Sequence, residues 1–254
     1  METLATMVII GVAVLVGTIL QRVSGSGVGL VVAPVLSLVI GPALGVLVTN
    51  MTTTVSGFLI MLAVWSRIEW RRYWLVGPLA VIGAIPGAWL VSQLSAGWLS
   101  IILGSIVVLA LLLTVSLPKL PSWEGRVPGW TAGVIGGFFN TTSGVAAPVM
   151  VIYSRVSNWN QQGFAATMQP IFMTMGAASV AAKLIMDSVG EVDGAGLDLT
   201  WLFAGIVAVV LLGIVLGGLT ARVVSSQAAR TLAMTLAGLG AVGAIIRGVL
   251  DLTV

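Results

Sequence analysis

Long runs of apolar residues recur along the whole chain, separated by short polar stretches. The apolar segments cover about residues 4–21, 28–40, 43–64, 74–93, 98–117, 128–139, 144–154, 161–186, 199–221 and 230–250. A helix that spans the hydrocarbon core needs about 20 residues at roughly 1.5 Å rise each. The second, sixth and seventh segments are too short for this. The pattern predicts an all-α polytopic membrane protein of about 8–10 transmembrane segments, some of them re-entrant or broken half-helices.

Composition supports a membrane protein and excludes several classes of function. Residues of the AVILMFWYC set make up 58% of the 254 residues and charged residues 7%, whereas a soluble domain carries roughly a quarter charged residues. The net charge of +3 is too small to indicate nucleic-acid binding. The absence of histidine and cysteine excludes Ser–His catalysis, thiol nucleophiles and the usual zinc sites. We therefore expect no enzyme activity, no metal and no cofactor.

Basic residues indicate the orientation in the membrane. Most of them follow odd-numbered segments: Arg22, Arg67, Arg71, Arg72, Lys119, Arg126, Arg155, Arg222 and Arg230. By the positive-inside rule the odd-numbered connections are cytoplasmic. Both termini are then expected on the outer side of a bacterial inner membrane. The two other cations, Lys183 and Arg247, each precede an acid by four residues.

The two halves of the chain resemble each other. The stretch SGSGVGLVVAPVL (24–36) matches FNTTSGVAAPVM (139–150), with Pro34 aligned to Pro148. Because each half has five segments, the second half is expected to be inverted, as is common among secondary transporters. The predicted units are a first transmembrane repeat, a cytoplasmic linker and a second, inverted repeat, at residues 1–117, 118–127 and 128–254.

A polar stretch, NTTSG at 140–144, interrupts the apolar pattern between segments six and seven. Backbone that leaves the helix inside lipid must be buried in protein or line a cavity. We expect two half-helix tips to meet here near mid-membrane, where the N-terminus of segment seven favours an anion. A surface turn between two short spans is the alternative. The candidate binding residues of the two hairpins are Arg22, Ser24, Ser26, Gly27, Gly29, Asn140, Thr141, Thr142, Ser143 and Gly144.

The long helix after each hairpin begins with a second group of polar residues. The candidates there are Thr49, Asn50, Thr53, Thr167 and Gln169. Threonine hydroxyls in a membrane helix either line a site or bond back to their own helix. An amide that faces lipid is costly. Asn50 and Gln169 are therefore expected to line a cavity.

These motifs resemble the sulfite exporter TauE/SafE family. The similar stretches are GSGVGLVVAP leading to GVLVTNMTTTVSG, and NTTSGVAAP leading to GFAATMQPIFMTMG, and together they extend over nearly the whole chain. The resemblance implies a bacterial transporter that exports a small sulfur-containing anion, such as sulfite or an organosulfonate. Its partners would be that anion and the lipid bilayer. The polar residues at 140–143 depart from a family pattern that is usually glycine-rich.

Several alternatives stay open on the sequence alone. The chain is either a secondary transporter with alternating access around a midplane site or an anion channel, and the cargo is either a sulfur anion or another small organic anion. Arg22 lies either at membrane depth, pairing with the anion, or in a cytoplasmic loop. Lys183 either pairs with Asp187 at i+4 or forms an outer gate. A coupling ion, H⁺ or Na⁺, and homo-oligomerisation are not determined.

The predicted orientation is testable by cysteine labelling, because the chain has no cysteine of its own. A Gly194→Cys variant should react with an impermeant thiol reagent applied outside intact cells, since residue 194 lies in a predicted outer connection. A Gly125→Cys variant, in the predicted cytoplasmic linker, should be protected. The reverse labelling pattern would invert the orientation.

Overall fold

The computed structural model describes residues 2–25, 28–116, 121–123, 125–189 and 199–253. Within these ranges the chain is helical and contains no β-strand, which confirms the predicted all-α class. The helices are α1 (Glu2–Ser24), α2 (Gly29–Ile40), α3 (Pro42–Val64), α4 (Trp70–Gln93), α5 (Ala96–Ser116), α6 (Val127–Ser143), α7 (Ala147–Val156), α8 (Gln161–Ile185), α9 (Leu199–Thr220) and α10 (Ser226–Thr253).

Helix lengths agree with a polytopic membrane protein. Over the described ranges, seven helices are long and apolar enough to cross a membrane, namely α1, α3, α4, α5, α8, α9 and α10. The short helices α2 and α7 have 12 and 10 residues, fewer than the roughly 20 that a crossing needs. The predicted half-length of these two segments is therefore found in the structure.

Helix α6 is longer than the sequence pattern predicts, because its polar residues remain helical. The hydroxyls of residues 141–143 each donate to a carbonyl oxygen one turn earlier, at 2.7 to 3.0 Å. This back-bonding satisfies the hydroxyls within the helix. Gly144 then ends the helix in the left-handed region, with φ of 74°, and its N–H donates to the Asn140 carbonyl. The break lies at 144–146, and the predicted end of the sixth segment at residue 139 is too early.

Each of several helices in the first half of the chain packs on a helix in the second half, and these contacts form a symmetric pattern. Helix α4 packs on α6, α1 on α9, α3 on α8, and α5 on α10. If α1–α5 are exchanged with α6–α10, the α4–α6 contact becomes the α9–α1 contact, and the α3–α8 and α5–α10 contacts map onto themselves. Two halves related by a two-fold axis would pack in this way. The inverted orientation and the repeat boundaries stay predictions.

Helices α4 and α6, one from each half, approach each other at glycines. A Cβ atom on Gly83 would overlap the carbonyl oxygen of Val134, and one on Gly137 would overlap that of Ala80. Small residues at such positions allow backbones in a membrane to come close and gain van der Waals contact. This pair is one of the main contacts between the two halves.

We expect Gly137→Ala to destabilise the protein by about 1–3 kcal/mol, because the added methyl group overpacks the α4–α6 contact. The matched control is Gly205→Ala in α9, where the added atom would meet nothing within 4 Å. The thermal unfolding temperature of the purified protein in detergent measures the effect. Equal unfolding temperatures for the two variants would contradict the close packing of α4 on α6.

Candidate functional site

The two helix breaks meet inside the bundle. Gly29, the first residue of α2, lies against the carbonyl oxygen of Gly144 so closely that a methyl group at Gly29 would overlap it. The side chain of Thr49 covers the same point, with its Cγ2 atom 3.3 Å from where a Cβ of Gly144 would lie. One break from each half of the chain is therefore in direct contact with the other. The predicted residues Ser26 and Gly27 lie outside the described residues.

The space between the breaks, which we call the tip cavity, is very small. Its volume is about 10 Å³, enough for about one water molecule. The first turn of α7 beside it has no side-chain cap, and Pro148 there has no N–H. An anion of several heavy atoms does not fit in this conformation. The lining residues are Gly29, Leu30, Thr53, Asn140, Gly144, Val145, Ala146, Ala147 and Phe172.

A buried amide pair adjoins the tip cavity. The Asn140 Nδ2 donates to the Asn50 Oδ1 at 2.8 Å, and the Asn50 Nδ2 donates to the Ser179 hydroxyl at 2.7 Å and to the Asn140 carbonyl at 3.3 Å. Asn50 and Asn140 are at most 1% exposed. Both ends of the Asn50 amide thus serve to join α3, α6 and α8. Asn140 also lines the tip cavity.

The hydroxyls near the tips are engaged within their own helices. Thr49 donates to the Gly45 carbonyl and Thr53 to the Thr49 carbonyl, both at 2.8 Å, as the hydroxyls of residues 141–143 do in α6. Each hydroxyl has one proton, so none remains to donate to an oxyanion here. Back-bonding is therefore found for Thr49 and Thr53 in this conformation, and Thr53 also lines the tip cavity. The hydroxyl of Ser24 donates in the same way to the Leu20 carbonyl, at 2.6 Å.

A larger cavity, which we call the vestibule, opens between α1, the C-terminal part of α3 and the start of α8. Its volume is about 300 Å³, at the lower end of the range of small-molecule sites. The lining residues are Gln21, Arg22, Gly25, Ile60, Val64, Arg67, Gln161, Gln162, Ala165, Ala166 and Gln169. Arg22 and Gln169 are the predicted candidates that lie here.

The vestibule is positively charged. Arg22 and Arg67 line it with exposed side chains, and none of the described residues that line it is acidic. Deeper in, the buried Gln21 Nε2 donates to the Gln169 Oε1 at 3.4 Å, which joins the two halves. The Gln21 Oε1 has no hydrogen-bond partner within the described part of the chain. The two arginines and the neutral amides below them can attract an anion, because no carboxylate among the described lining residues competes with the anion for the positive charge.

Sequence reasoning missed four polar residues of the vestibule. They are Gln21, Arg67, Gln161 and Gln162. The available signal was the pair QR at 21–22, at the end of the first apolar segment, and the pair QQ at 161–162, at the start of the eighth. Arg67 was assigned to topology alone, since nothing local distinguishes a cavity arginine from a loop arginine.

The predicted residue Thr167 belongs to a polar cluster beside the vestibule. Its hydroxyl accepts from the backbone N–H of Glu69 at 2.9 Å. The Glu69 carboxylate accepts from Trp159 Nε1, Asn160 Nδ2 and Arg72 Nε at 2.9 to 3.0 Å. We call Glu69, Arg72, Trp159 and Asn160 the clasp, because they tie the α3–α4 connection to the α7–α8 connection.

We expect Asn50→Ala to lower the free energy of unfolding by about 1–3 kcal/mol, because it leaves the buried Asn140 amide without its partner. In a double-mutant cycle the Asn50→Ala and Asn140→Ala effects should not add, since the residues are in contact. The control is Ser100→Ala, which removes a buried hydroxyl without a hydrogen-bond partner. Additive losses measured by reversible unfolding in detergent would refute the coupling.

Known proteins resemble the chain over most of its length. The sulfite exporter TauE/SafE family matches residues 9–244, which include both helix breaks, the vestibule and the clasp. The probable inner membrane transporter protein TsaS of Comamonas testosteroni is 27% identical over 169 residues, covering 65% of this chain and 67% of that protein. No solved structure gives a significant match.

Proposed function

The chain belongs to the sulfite exporter TauE/SafE family of membrane transporters, and from this premise we propose that it exports a small sulfur-containing anion such as sulfite or an organosulfonate. The observation that carries the proposal is the vestibule, which is lined by Arg22 and Arg67 and by no acidic residue in the part of the chain that the structure describes. A cavity of that charge concentrates anions at its mouth. The side-chain amides of Gln21 and Gln169, which lie deeper in the vestibule, can then donate hydrogen bonds to the oxygen atoms of the sulfur anion.

The distribution of charge supports export. Under the positive-inside rule Arg22 and Arg67 lie on the cytoplasmic side, so the vestibule faces the cytoplasm. An anion from the cytoplasm would load between the two guanidinium groups, which match the oxygen pairs of a sulfonate in a bidentate way. The described conformation would then be the loading state of the cycle.

The tip cavity would be the closed point of the pathway. Thr53 at the tip cavity and Ile60 at the vestibule are seven residues apart on α3, or about 10 Å along the helix. With room for about one water, the tip cavity offers no open pore. This favours alternating access, in which the halves separate around the breaks, over an anion channel. On opening, the uncapped start of α7 and the Asn140 amide would face the anion.

We expect Arg22→Ala, Arg67→Ala and Asn140→Ala each to slow the exchange of radiolabelled sulfite in proteoliposomes by about tenfold or more, as for the loss of one charge-assisted contact. For the two arginine variants, the difference in exchange rate from the native protein should be smaller at high salt. Salt screens the attraction between the arginines and the anion in the native protein, so removing one arginine then costs less. Exchange by the native protein should be slow and saturable.

The matched control is Arg230→Ala, which removes an exposed arginine outside the vestibule. Native exchange rates in both the Arg22→Ala and Asn140→Ala variants would remove these residues from the site. A native protein that moves neither sulfite nor organosulfonates would refute the proposed cargo. A thermal-shift screen with sulfite, thiosulfate, taurine, sulfoacetate and carboxylates then identifies another one.

A further inference from the structure

Helix α8 carries a buried lysine in its last turn. Lys183 is 0% exposed, and its Nζ atom has no hydrogen-bond partner within the described part of the chain. The expected ion pair with Asp187 is not among those of the described residues. Side chains on a helix lean towards its N-terminus, whereas Asp187 is exposed and follows the end of α8, with φ of 48°. Of the two alternatives for Lys183, the pairing with Asp187 is therefore not found in this conformation.

Lys183 lies one helical turn beyond the amide network at the tips. Ser179, four residues earlier on the same face of α8, accepts the hydrogen bond from Asn50, which pairs with Asn140. Side chains on a helix lean towards its N-terminus, and from Lys183 this is the direction of the network. Lys183 is 14 residues beyond the vestibule residue Gln169 on α8, or about 21 Å along the helix. It therefore lies on the other side of the tip cavity from the vestibule.

None of the described residues is ion-paired or hydrogen-bonded to the ammonium group of Lys183. Ser188 closes the space after it, with its hydroxyl donating to the Ala88 carbonyl of α4 at 2.9 Å. Among the described cations, all but Lys183 and Arg72 are exposed, and Arg72 is paired with Glu69. A buried ammonium group without a counter-charge is costly, and an ionisable residue inside a membrane protein is kept for a function by default.

We propose that Lys183 is a second anion-binding station, which receives the transported oxyanion after it passes the helix tips and before its release on the side opposite the vestibule. This inference rests on the proposed function. The ammonium group has three donors and no acceptor, and so fits the oxygens of a sulfite or sulfonate group. The cargo would supply the counter-charge that Lys183 lacks in the loading state. The pathway would have one cationic site at each end and neutral amides between them.

The first test compares Lys183→Met, which removes the charge at similar length, with Lys183→Arg, which keeps it. We expect sulfite exchange in proteoliposomes to fall by about tenfold or more in the methionine variant, as for one lost charge-assisted contact, and to be partly retained in the arginine variant. The unfolding temperature of the methionine variant without anion should equal or exceed that of the native protein, because an uncompensated charge is gone.

A structural role would give the opposite pattern. A methionine variant that is less stable but exchanges sulfite at the native rate would overturn the proposal and leave the proposed function intact. A native protein that moves no sulfur anion would refute the proposed function. The labelling test below then decides on Lys183, because it needs no cargo.

The second test uses the natural absence of cysteine. In intact cells we expect an impermeant methanethiosulfonate that carries a sulfonate group to label Lys183→Cys from outside, because the station opens to that side during the cycle. The matched control is Met175→Cys, equally buried on the same helix, which should stay unlabelled. Asp187→Cys, at an exposed position just after α8, should be labelled. A Lys183→Cys variant as unreactive as Met175→Cys would overturn the proposal.

Discussion

Unpaired backbone is hardly tolerated inside a bilayer, and the architecture of this protein depends on how that constraint is met at its helix breaks. The break at 144–146 is buried, and Gly29, the first residue of α2 in the other half of the chain, packs directly against it. Only glycine at positions 29 and 144 allows this approach, since Gly144 has positive φ and Gly29 has no room for a side chain. The break in the second half is thus buried in part by a residue of the first half, as backbone outside a helix must be inside a bilayer.

Around this contact the polar groups divide into two kinds with different tasks. Amides join the halves, through Asn50 with Asn140 and through Gln21 with Gln169. The hydroxyls of Thr49, Thr53 and residues 141–143 donate within their own helices instead, so these polar residues do not disturb the helical path. No cationic residue is among the described residues that line the tip cavity: the arginines line the vestibule, and Lys183 lies beyond the helix tips. A mobile negative solute would thus meet fixed charge only at either end.

The apolar pattern was sufficient to predict the helices, the two half-length segments α2 and α7, and a break beside Gly144, because these follow from local composition and the thickness of the bilayer. It could not predict that α6 continues to Ser143, since a hydroxyl bonded to its own helix and one lining a site look alike in sequence. The vestibule was predicted only at Arg22 and Gln169. Its other polar residues come from three separate helix ends, and their convergence is a property of tertiary packing.

The back-bonded hydroxyls have a consequence for how long a solute would stay at the tips. With their protons committed to carbonyls, Thr49 and Thr53 offer only methyl groups and oxygen lone pairs. These two side chains therefore give no hydrogen bond to a negative solute, which leaves the Asn140 amide and the uncapped start of α7 as the donors at the tips. The cargo would then stay only briefly at the narrowest point. Its residence time in the protein, and hence the turnover rate, would be governed by the cationic groups on either side of the constriction.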